Sequence, residues 1–168
     1  SPYGWRIHPV EKTKKHHNGI DLWGAAETIY IESAYDGKVI FAGPSKMKNA
    51  DGSVGGFGYH VQVLSRENGM WIVNNYAHMK LGSIKVKVGQ QIEAGTVLGV
   101  MGATGMVTGK HLHWETCIGK TYKWSGNGKG YLDPIKFLQA VIARHEAVQE
   151  ALVETPDTGA VAPAPIHG

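Results

Sequence analysis

Glycine is the residue that most constrains the fold of this chain. It accounts for 23 of the 168 residues, and the glycines lie between short segments rich in valine, isoleucine and tyrosine. Glycine adopts the backbone conformations of tight turns at no steric cost, whereas β-branched and aromatic residues favour strands. The sequence therefore predicts a mostly β protein, in which many short strands joined by tight turns form a compact antiparallel sheet or sandwich.

Six segments match the strand pattern. Several of them alternate apolar residues with others, as Tyr59, Val61 and Val63 do. The six predicted strands are TIYIES (28–33), GKVIFA (37–42), YHVQVLS (59–65), WIVNNYAH (71–78), VLGVMG (97–102) and HLHWETCI (111–118).

The C-terminal part of the chain has a different pattern. Asp133 suits a helix N-cap and Pro134 suits the first helical turn, which predicts the start of a helix at this point. The apolar residues that follow recur at helical spacing and predict one amphipathic C-terminal α-helix, whose apolar face we expect to pack on the domain. Those apolar positions are Ile135, Leu138, Val141, Ile142, Val148 and Leu152.

Length, cysteine content and charge exclude several classes of protein. A chain of 168 residues with 42% hydrophobic residues is long enough for one domain with its own core. Cys117 is the only cysteine, which excludes an internal disulfide and a zinc site built on several thiolates. The net charge of +3 comes with scattered lysines, so nucleic-acid binding is not indicated.

No apolar run is long enough to predict a membrane span. The first residues, SPYGWR, have neither an initiator methionine nor a signal-peptide core, so we expect a chain cut from a longer one.

Three histidine-bearing segments are candidates for a metal or proton-transfer site. In KKHHNGIDLWG (14–24), His17 lies four residues before Asp21, a spacing that taken alone is also common in surface turns. In GKHLHWE, His111 and His113 are two apart on a predicted strand, so both project from one sheet face, where they could equally be solvated. His78 ends another predicted strand, and alone it could be a structural histidine.

Counting ligands favours a metal site. Catalytic zinc typically takes three protein ligands and keeps a fourth position for water or substrate. The chain can supply two histidines and one carboxylate as ligands and still keep two histidines for chemistry, which is what metal-assisted hydrolysis needs. The spacing does not decide between His111 and His113 as a ligand.

Taken in order, these segments resemble the lysostaphin-like, LytM-type zinc endopeptidases, which cut peptides in bacterial peptidoglycan. The resemblance implies a mostly antiparallel β fold with its zinc site in a groove across the sheet. It covers roughly residues 3–138 and is carried by YGWRIHPVEKTKKHHNGIDL, AYDGKVIFAG, GYHVQV, NNYAHM, VKVGQQIEAGTVLGVMGATG, TGKHLHWE and LDPIKFL.

The resemblance also implies a role for each candidate. His17 and Asp21 match the family's His-x-x-x-Asp element and become the first two ligands of one zinc ion per chain, with His113 of His-x-His as the third. His111 and His78 become the catalytic histidines.

Some features depart from the family or stay open. Lys110 stands where the family often has proline, which could alter substrate preference, and His60 stands where a small polar residue is common. Residues 43–58 are longer than the usual connection and are a candidate wall of the groove.

Glu115, on the same strand face as His113, could orient an imidazole or be a solvated edge carboxylate, and is left out of the predicted site. Most of the five tryptophans are expected in the core.

The expected domains are the LytM-type peptidase domain (1–138), a helical extension (139–154) and a Pro/Ala/Gly-rich tail (155–168). The expected function is zinc-dependent hydrolysis of peptide cross-links or stem peptides of peptidoglycan by an activated water, outside the bacterial cytoplasm: in the envelope, in the medium or on a phage particle. The peptidoglycan peptide is the expected partner, and the helix and tail could contact another module or assembly.

Two other functions compete with this one. A non-catalytic peptidoglycan-binding module could share the fold. A phosphocarrier-type domain is the other alternative, because VKVGQQIEAGTVLG also resembles hairpins of biotinyl-type carriers and of the glucose-specific phosphocarrier, which uses two histidines. A carrier has no use for the pair formed by His17 and Asp21.

Overall fold

The computed structural model describes residues 1–8 and 12–154, so the predicted tail (155–168) lies outside the described residues. The described part is mostly β, with one C-terminal helix, as the sequence predicts. The elements are β1 (Gly4–Ile7), β2 (Lys14–His17), β3 (Gly19–Leu22), β4 (Tyr30–Glu32), β5 (Gly37–Pro44), β6 (Tyr59–Glu67), β7 (Met70–Met79), β8 (Gln91–Ile92), β9 (Val97–Val100), β10 (Leu112–Ile118), β11 (Tyr131–Leu132) and α1 (Pro134–Glu154).

All six predicted strands are confirmed, as β4, β5, β6, β7, β9 and β10. The short strands β1, β2, β3, β8 and β11 were not predicted, because segments of two to four residues show no extended apolar alternation. His17 ends β2 and Asp21 lies within β3, so this pair does not belong to a surface turn. The two residues are held by strand pairing instead.

The main sheet is antiparallel, with the strand order β11-β10-β7-β6-β5-β8. Strand β10 pairs with β7 on one side and with both β3 and β11 on the other. This register sets His113 of β10 directly opposite Asp21 of β3 and Ala77 of β7. Two smaller antiparallel pairs, β1 with β2 and β4 with β9, lie outside this sheet.

The hydrophobic core assigns the two faces of β10. Trp114 is buried and stacks on Tyr76 of β7, with ring centroids 5.9 Å apart. Successive side chains of a strand point to opposite faces, so His113 and Glu115 lie on the other face. That second face carries the candidate site.

The helix α1 is capped as predicted but packs over only part of its length. The backbone amides of Ile135 and Lys136 donate to Asp133 Oδ1 at 3.1 and 3.3 Å, which confirms the N-cap. Val141 is buried in the core, whereas Leu152 is 64% exposed. The expected packing of the apolar face therefore holds for Leu138 and Val141 and is wrong for the exposed positions, which are Ile135, Ile142, Val148 and Leu152. No helix within the described ranges has the length and apolarity needed to cross a membrane.

The expectation that most tryptophans are buried is also wrong. Trp5, Trp23 and Trp124 are each more than half exposed, and only Trp114 belongs to the hydrophobic core. The three exposed rings lie outside the main sheet, on β1 and on the loops that follow β3 and β10. The sheet face is filled mainly by valine, isoleucine and leucine, so it does not need them.

His78, near the end of β7, has a left-handed backbone with a φ of 62°. Its amide donates to the carbonyl of Phe57 at 2.9 Å, and its carbonyl accepts from the amide of Gly102 at 3.0 Å. This conformation costs a residue other than glycine about 1–2 kcal/mol. Two hydrogen bonds from distant loops therefore hold a predicted catalytic histidine in a conformation that it would not choose alone.

This backbone makes a prediction that concerns stability alone. His78→Gly should be more stable than His78→Ala by about 0.5–1 kcal/mol, because only alanine retains the left-handed penalty. Urea unfolding of the two metal-free variants measures the difference. The usual order, with alanine the more stable residue, would contradict the left-handed conformation.

Candidate metal centre

Three donor atoms from three strands converge on one point. His113 Nδ1 lies 2.8 Å from Asp21 Oδ1 and 3.1 Å from His17 Nε2. The third separation, from His17 Nε2 to Asp21 Oδ1, is 3.2 Å. The structure thus brings together the three residues predicted as metal ligands, contributed by β2, β3 and β10.

The donor set suits zinc. Two imidazole nitrogens and one carboxylate oxygen are common zinc ligands, and tetrahedral bonds of about 2.0–2.2 Å place neighbouring donors about 3.3–3.6 Å apart. The observed separations are shorter by only a few tenths of an ångström. His17 and His113 are buried, while the Asp21 side chain is 20% exposed. The three residues could therefore hold a metal ion with one side open to solvent.

Two of these residues are fixed by contacts behind the site. His17 Nδ1 lies 2.8 Å from the carbonyl oxygen of Pro2, and because a carbonyl only accepts, Nδ1 carries the proton. The lone pair of His17 is thereby left on Nε2, which faces the other donors. Arg6 Nη2 lies 3.5 Å from Asp21 Oδ2, so the second carboxylate oxygen also has a partner. Sequence reasoning missed both contacts, and a backbone carbonyl such as that of Pro2 leaves no signal in the sequence.

His113 has a carboxylate behind it. Its Nε2 lies 2.9 Å from Glu115 Oε1, and Tyr122 donates its hydroxyl to Glu115 Oε2 at 2.7 Å. Glu115 is only 3% exposed, which excludes a solvated edge carboxylate and leaves the orienting role that the sequence analysis also considered. Tyr122 was missed altogether, because it reaches the site from the loop after β10.

The charges at the centre depend on one another. Burial alone would raise the pKa of Asp21, but the neighbouring imidazoles, chiefly through the hydrogen bond from His113, outweigh burial and lower it. Burial alone would lower the pKa of His113, but its bonds to Asp21 and Glu115 raise it to about 9. At neutral pH the metal-free centre therefore holds an imidazolium that donates to two carboxylates.

The two predicted catalytic histidines lie beside this centre. The rings of His78 and His111 are 4.8 Å apart, and His111 Nε2 is 3.7 Å from Asp21 Oδ1. His78 Nδ1 bonds to the carbonyl of Thr104 at 2.8 Å, and His111 Nδ1 bonds to that of Gly109 at 2.9 Å. Each Nδ1 therefore donates, and Nε2 is in each ring the nitrogen left for chemistry.

His78 is uncharged at neutral pH. Burial, followed by the positive charge of His113, lowers the pKa of His78 to about 3. Its Nε2 lone pair is therefore available to a neighbouring donor at neutral pH. The five predicted site residues thus form one cluster with three donors and two further imidazoles.

The long segment 43–58 reaches the centre through Phe57. The Phe57 ring stacks on His113, with centroids 5.9 Å apart and an interplanar angle of 20°, and meets Tyr122 edge-on at 5.7 Å. The buried His60 stacks on Phe41 at 4.3 Å. The aromatic contact of Phe57 was not predicted, because a glycine-rich segment gives no sign of which side chain turns inward.

Lys110 is tied to a neighbouring loop. Its ammonium donates to the carbonyls of Ala26 and Glu27 at 2.8 and 2.6 Å. The residue before His111 therefore fastens the loop that follows β3. The expected effect of Lys110 on substrate preference stays a prediction.

The chain is similar to known peptidases. It is 33% identical over 118 residues to the DD-carboxypeptidase/endopeptidase Mpg of Neisseria meningitidis, covering 70% of this chain and 24% of that protein. It is 34% identical over 113 residues to the peptidoglycan DD-endopeptidase ShyA of Vibrio cholerae, covering 67% of this chain and 23% of that protein. The chain thus spans about a quarter of the length of these curated relatives.

A solved structure and a family model agree with these similarities. The crystal structure of a zinc-containing peptidase from Vibrio cholerae superimposes with a TM-score of 0.54 at 28% identity, covering 77% of this chain and 34% of that one. The model of peptidase family M23 matches residues 15–125. This match includes all five clustered residues and confirms the resemblance found in the sequence, so the chain belongs to peptidase family M23.

Proposed function

We propose that this chain is a zinc-dependent endopeptidase that hydrolyses peptide cross-links of bacterial peptidoglycan, with one zinc ion held by His17, Asp21 and His113. The convergence of these three donors beside two further imidazoles carries the proposal. The zinc-containing structural neighbour supports the choice of metal. The two DD-endopeptidase relatives support the substrate and favour a direct D,D cross-link as the bond that is cut.

Zinc at this centre would supply Lewis-acid polarisation of the scissile carbonyl and would activate water for attack. His78, neutral and with its lone pair on Nε2, accepts the proton that the attacking water loses. His111, whose side chain is 21% exposed, acts in its protonated form: its Nε2–H stabilises the negative charge that develops on the substrate and then passes its proton to the leaving amine. Neither role needs a glutamate base.

The two competing functions fit the site less well. A non-catalytic module needs neither the His78 nor the His111 imidazole beside the three donors, yet both are present. A phosphocarrier uses no metal and would leave the carboxylate of Asp21 beside its histidines, where it would repel a phosphoryl group. Membership in peptidase family M23 also favours the hydrolase.

The proposed substrate places the protein outside the bacterial cytoplasm, in the envelope, in the medium or on a phage particle. We assign the chemistry to residues 1–138, which contain every residue of the cluster. The exposed side of α1 is then the surface that we propose for contact with another module or assembly.

Cleavage of purified peptidoglycan tests the proposed activity. Release of new amines should be strongest from directly cross-linked wall and weaker from glycine-bridged wall. His78→Ala and His111→Ala should each lower the rate by about 10²-fold or more while zinc stays bound, because they remove proton transfer alone. His113→Ala should lose both zinc and activity.

His16→Ala is the matched control for these variants. His16 is adjacent to His17, but its ring contacts Tyr3 and Trp5 rather than the donor cluster, so activity should stay within about twofold of the unchanged chain. A zinc-loaded chain that releases amines from neither kind of wall would contradict the endopeptidase and leave a binding module.

Zinc binding should release protons in a pH-dependent way. At pH 7.5 about one proton should leave for each zinc bound, because His113, with a pKa of about 9 in the metal-free chain, must lose its Nδ1 proton before it can ligate. Titration calorimetry in two buffers of different ionisation enthalpy measures the number released. It should fall towards zero above pH 9, and no release at pH 7.5 would show that His113 is already neutral.

A further inference from the structure

We propose that Glu115 is a positioning residue that directs His113 Nδ1 at the metal, and that Tyr122 holds Glu115 in place. The inference rests on the proposed function only in that it assumes a metal at the donor cluster. It concerns how the third ligand, His113, is oriented.

The orientation of the His113 ring determines which of its nitrogens can ligate. An imidazole can ligate through either nitrogen, and its other N–H selects which one. Here Nε2 lies 2.9 Å from Glu115 Oε1, while Nδ1 lies 2.8 Å from Asp21 Oδ1. The carboxylate of Glu115 only accepts, so Nε2 keeps its proton and Nδ1 is the atom that can ligate.

The carboxylate of Glu115 is shielded from solvent. Glu115 is 3% exposed, and its other oxygen accepts the hydroxyl of Tyr122 at 2.7 Å. A buried carboxylate that loses one of its partners cannot recover the bond from water, so a flip of the His113 ring would leave it unsatisfied. The pairing therefore disfavours the orientation that presents Nε2 to the metal.

Aromatic packing also holds the His113 ring in this orientation. Phe57 stacks on the His113 ring and meets Tyr122 edge-on, so one aromatic side chain contacts both ends of the chain formed by Tyr122, Glu115 and His113. His113 and Glu115 lie on β10, and Tyr122 lies on the loop that follows it. The ring is thus held by a hydrogen bond and by stacking.

The contrast with His17 shows why the partner matters. His17 has a backbone carbonyl, that of Pro2, behind it, whereas His113 has a carboxylate. A carboxylate behind a ligating imidazole makes the imidazole a stronger donor to the metal. Glu115 should therefore change zinc affinity as well as ring orientation.

The experiment compares Glu115→Ala, Glu115→Gln and Tyr122→Phe in the full chain. Competition with a chromophoric chelator gives the zinc dissociation constant, and long-range ¹H–¹⁵N NMR of the zinc-loaded protein reports which nitrogen of His113 is protonated. Glu115→Ala should weaken zinc binding by about 10–100-fold. Glu115→Gln, which keeps an acceptor but loses the charge, should weaken it less, and Tyr122→Phe should weaken it severalfold.

Glu93→Gln is the matched control, because it removes the charge of an exposed glutamate away from the site. Its zinc affinity should equal that of the unchanged chain. Circular dichroism of the metal-free variants checks that each one folds. If Glu115→Ala does not fold, Glu115→Gln and Tyr122→Phe still decide the matter, since both conserve shape.

The inference is overturned if the folded variants bind zinc within about threefold of the unchanged chain, or if His113 carries its proton on Nδ1 in the zinc-loaded protein. An unchanged chain that binds zinc but cleaves no peptidoglycan would refute the proposed function and leave the positioning role intact. An unchanged chain that binds no zinc would overturn both.

Discussion

The pairing of β3 with β10 is the contact on which the site depends. Its register sets Asp21 opposite His113, and the same pairing sets Gly19 opposite Glu115. A Cβ atom at Gly19 would clash with the carbonyl oxygen of Trp114 and with the side chain of Glu115. Glycine therefore lets the two strands approach closely enough for a carboxylate on one and an imidazole on the other to reach the same metal ion.

The metal-free chain tolerates this cluster because a proton is present where a metal would be. His113 lies between the carboxylates of Asp21 and Glu115, and its single positive charge attracts both. Two carboxylates this close would otherwise repel each other in a largely buried site. Exchanging the Nδ1 proton for Zn²⁺ replaces one positive charge with two, so the two carboxylates keep a positive charge between them and are fully balanced once the metal binds.

The sequence predicted the main sheet well and the edges of the molecule poorly. Apolar alternation identifies strands such as β6 and β7, because their side chains must alternate between core and surface. Strands β1 to β3 are only four residues long and gain their shape from pairing with other segments, which no local pattern reveals. The exposed end of α1 shows the same limit, because an apolar helical face indicates a helix but not what covers it.

The candidate site was predicted through the family resemblance, and the spacing of residues alone left it incomplete. Two histidines on one strand face are equivalent until a neighbour distinguishes them, and for His113 that neighbour is Asp21, more than ninety residues earlier in the chain. The state of Glu115 stayed open for a similar reason. Whether a strand face is buried depends on the side chains that cover it, and here these are Phe57 and Tyr122 from separate loops. The assigned roles stay predictions.

A crystal structure of the zinc-loaded chain, with diffraction recorded on both sides of the zinc absorption edge, would show which atoms hold the metal. We expect one anomalous peak per chain, about 2.0–2.2 Å from His17 Nε2, Asp21 Oδ1 and His113 Nδ1. Ligation through His113 Nε2, replacement of His113 by His111, or a peak away from these three residues would contradict this expectation.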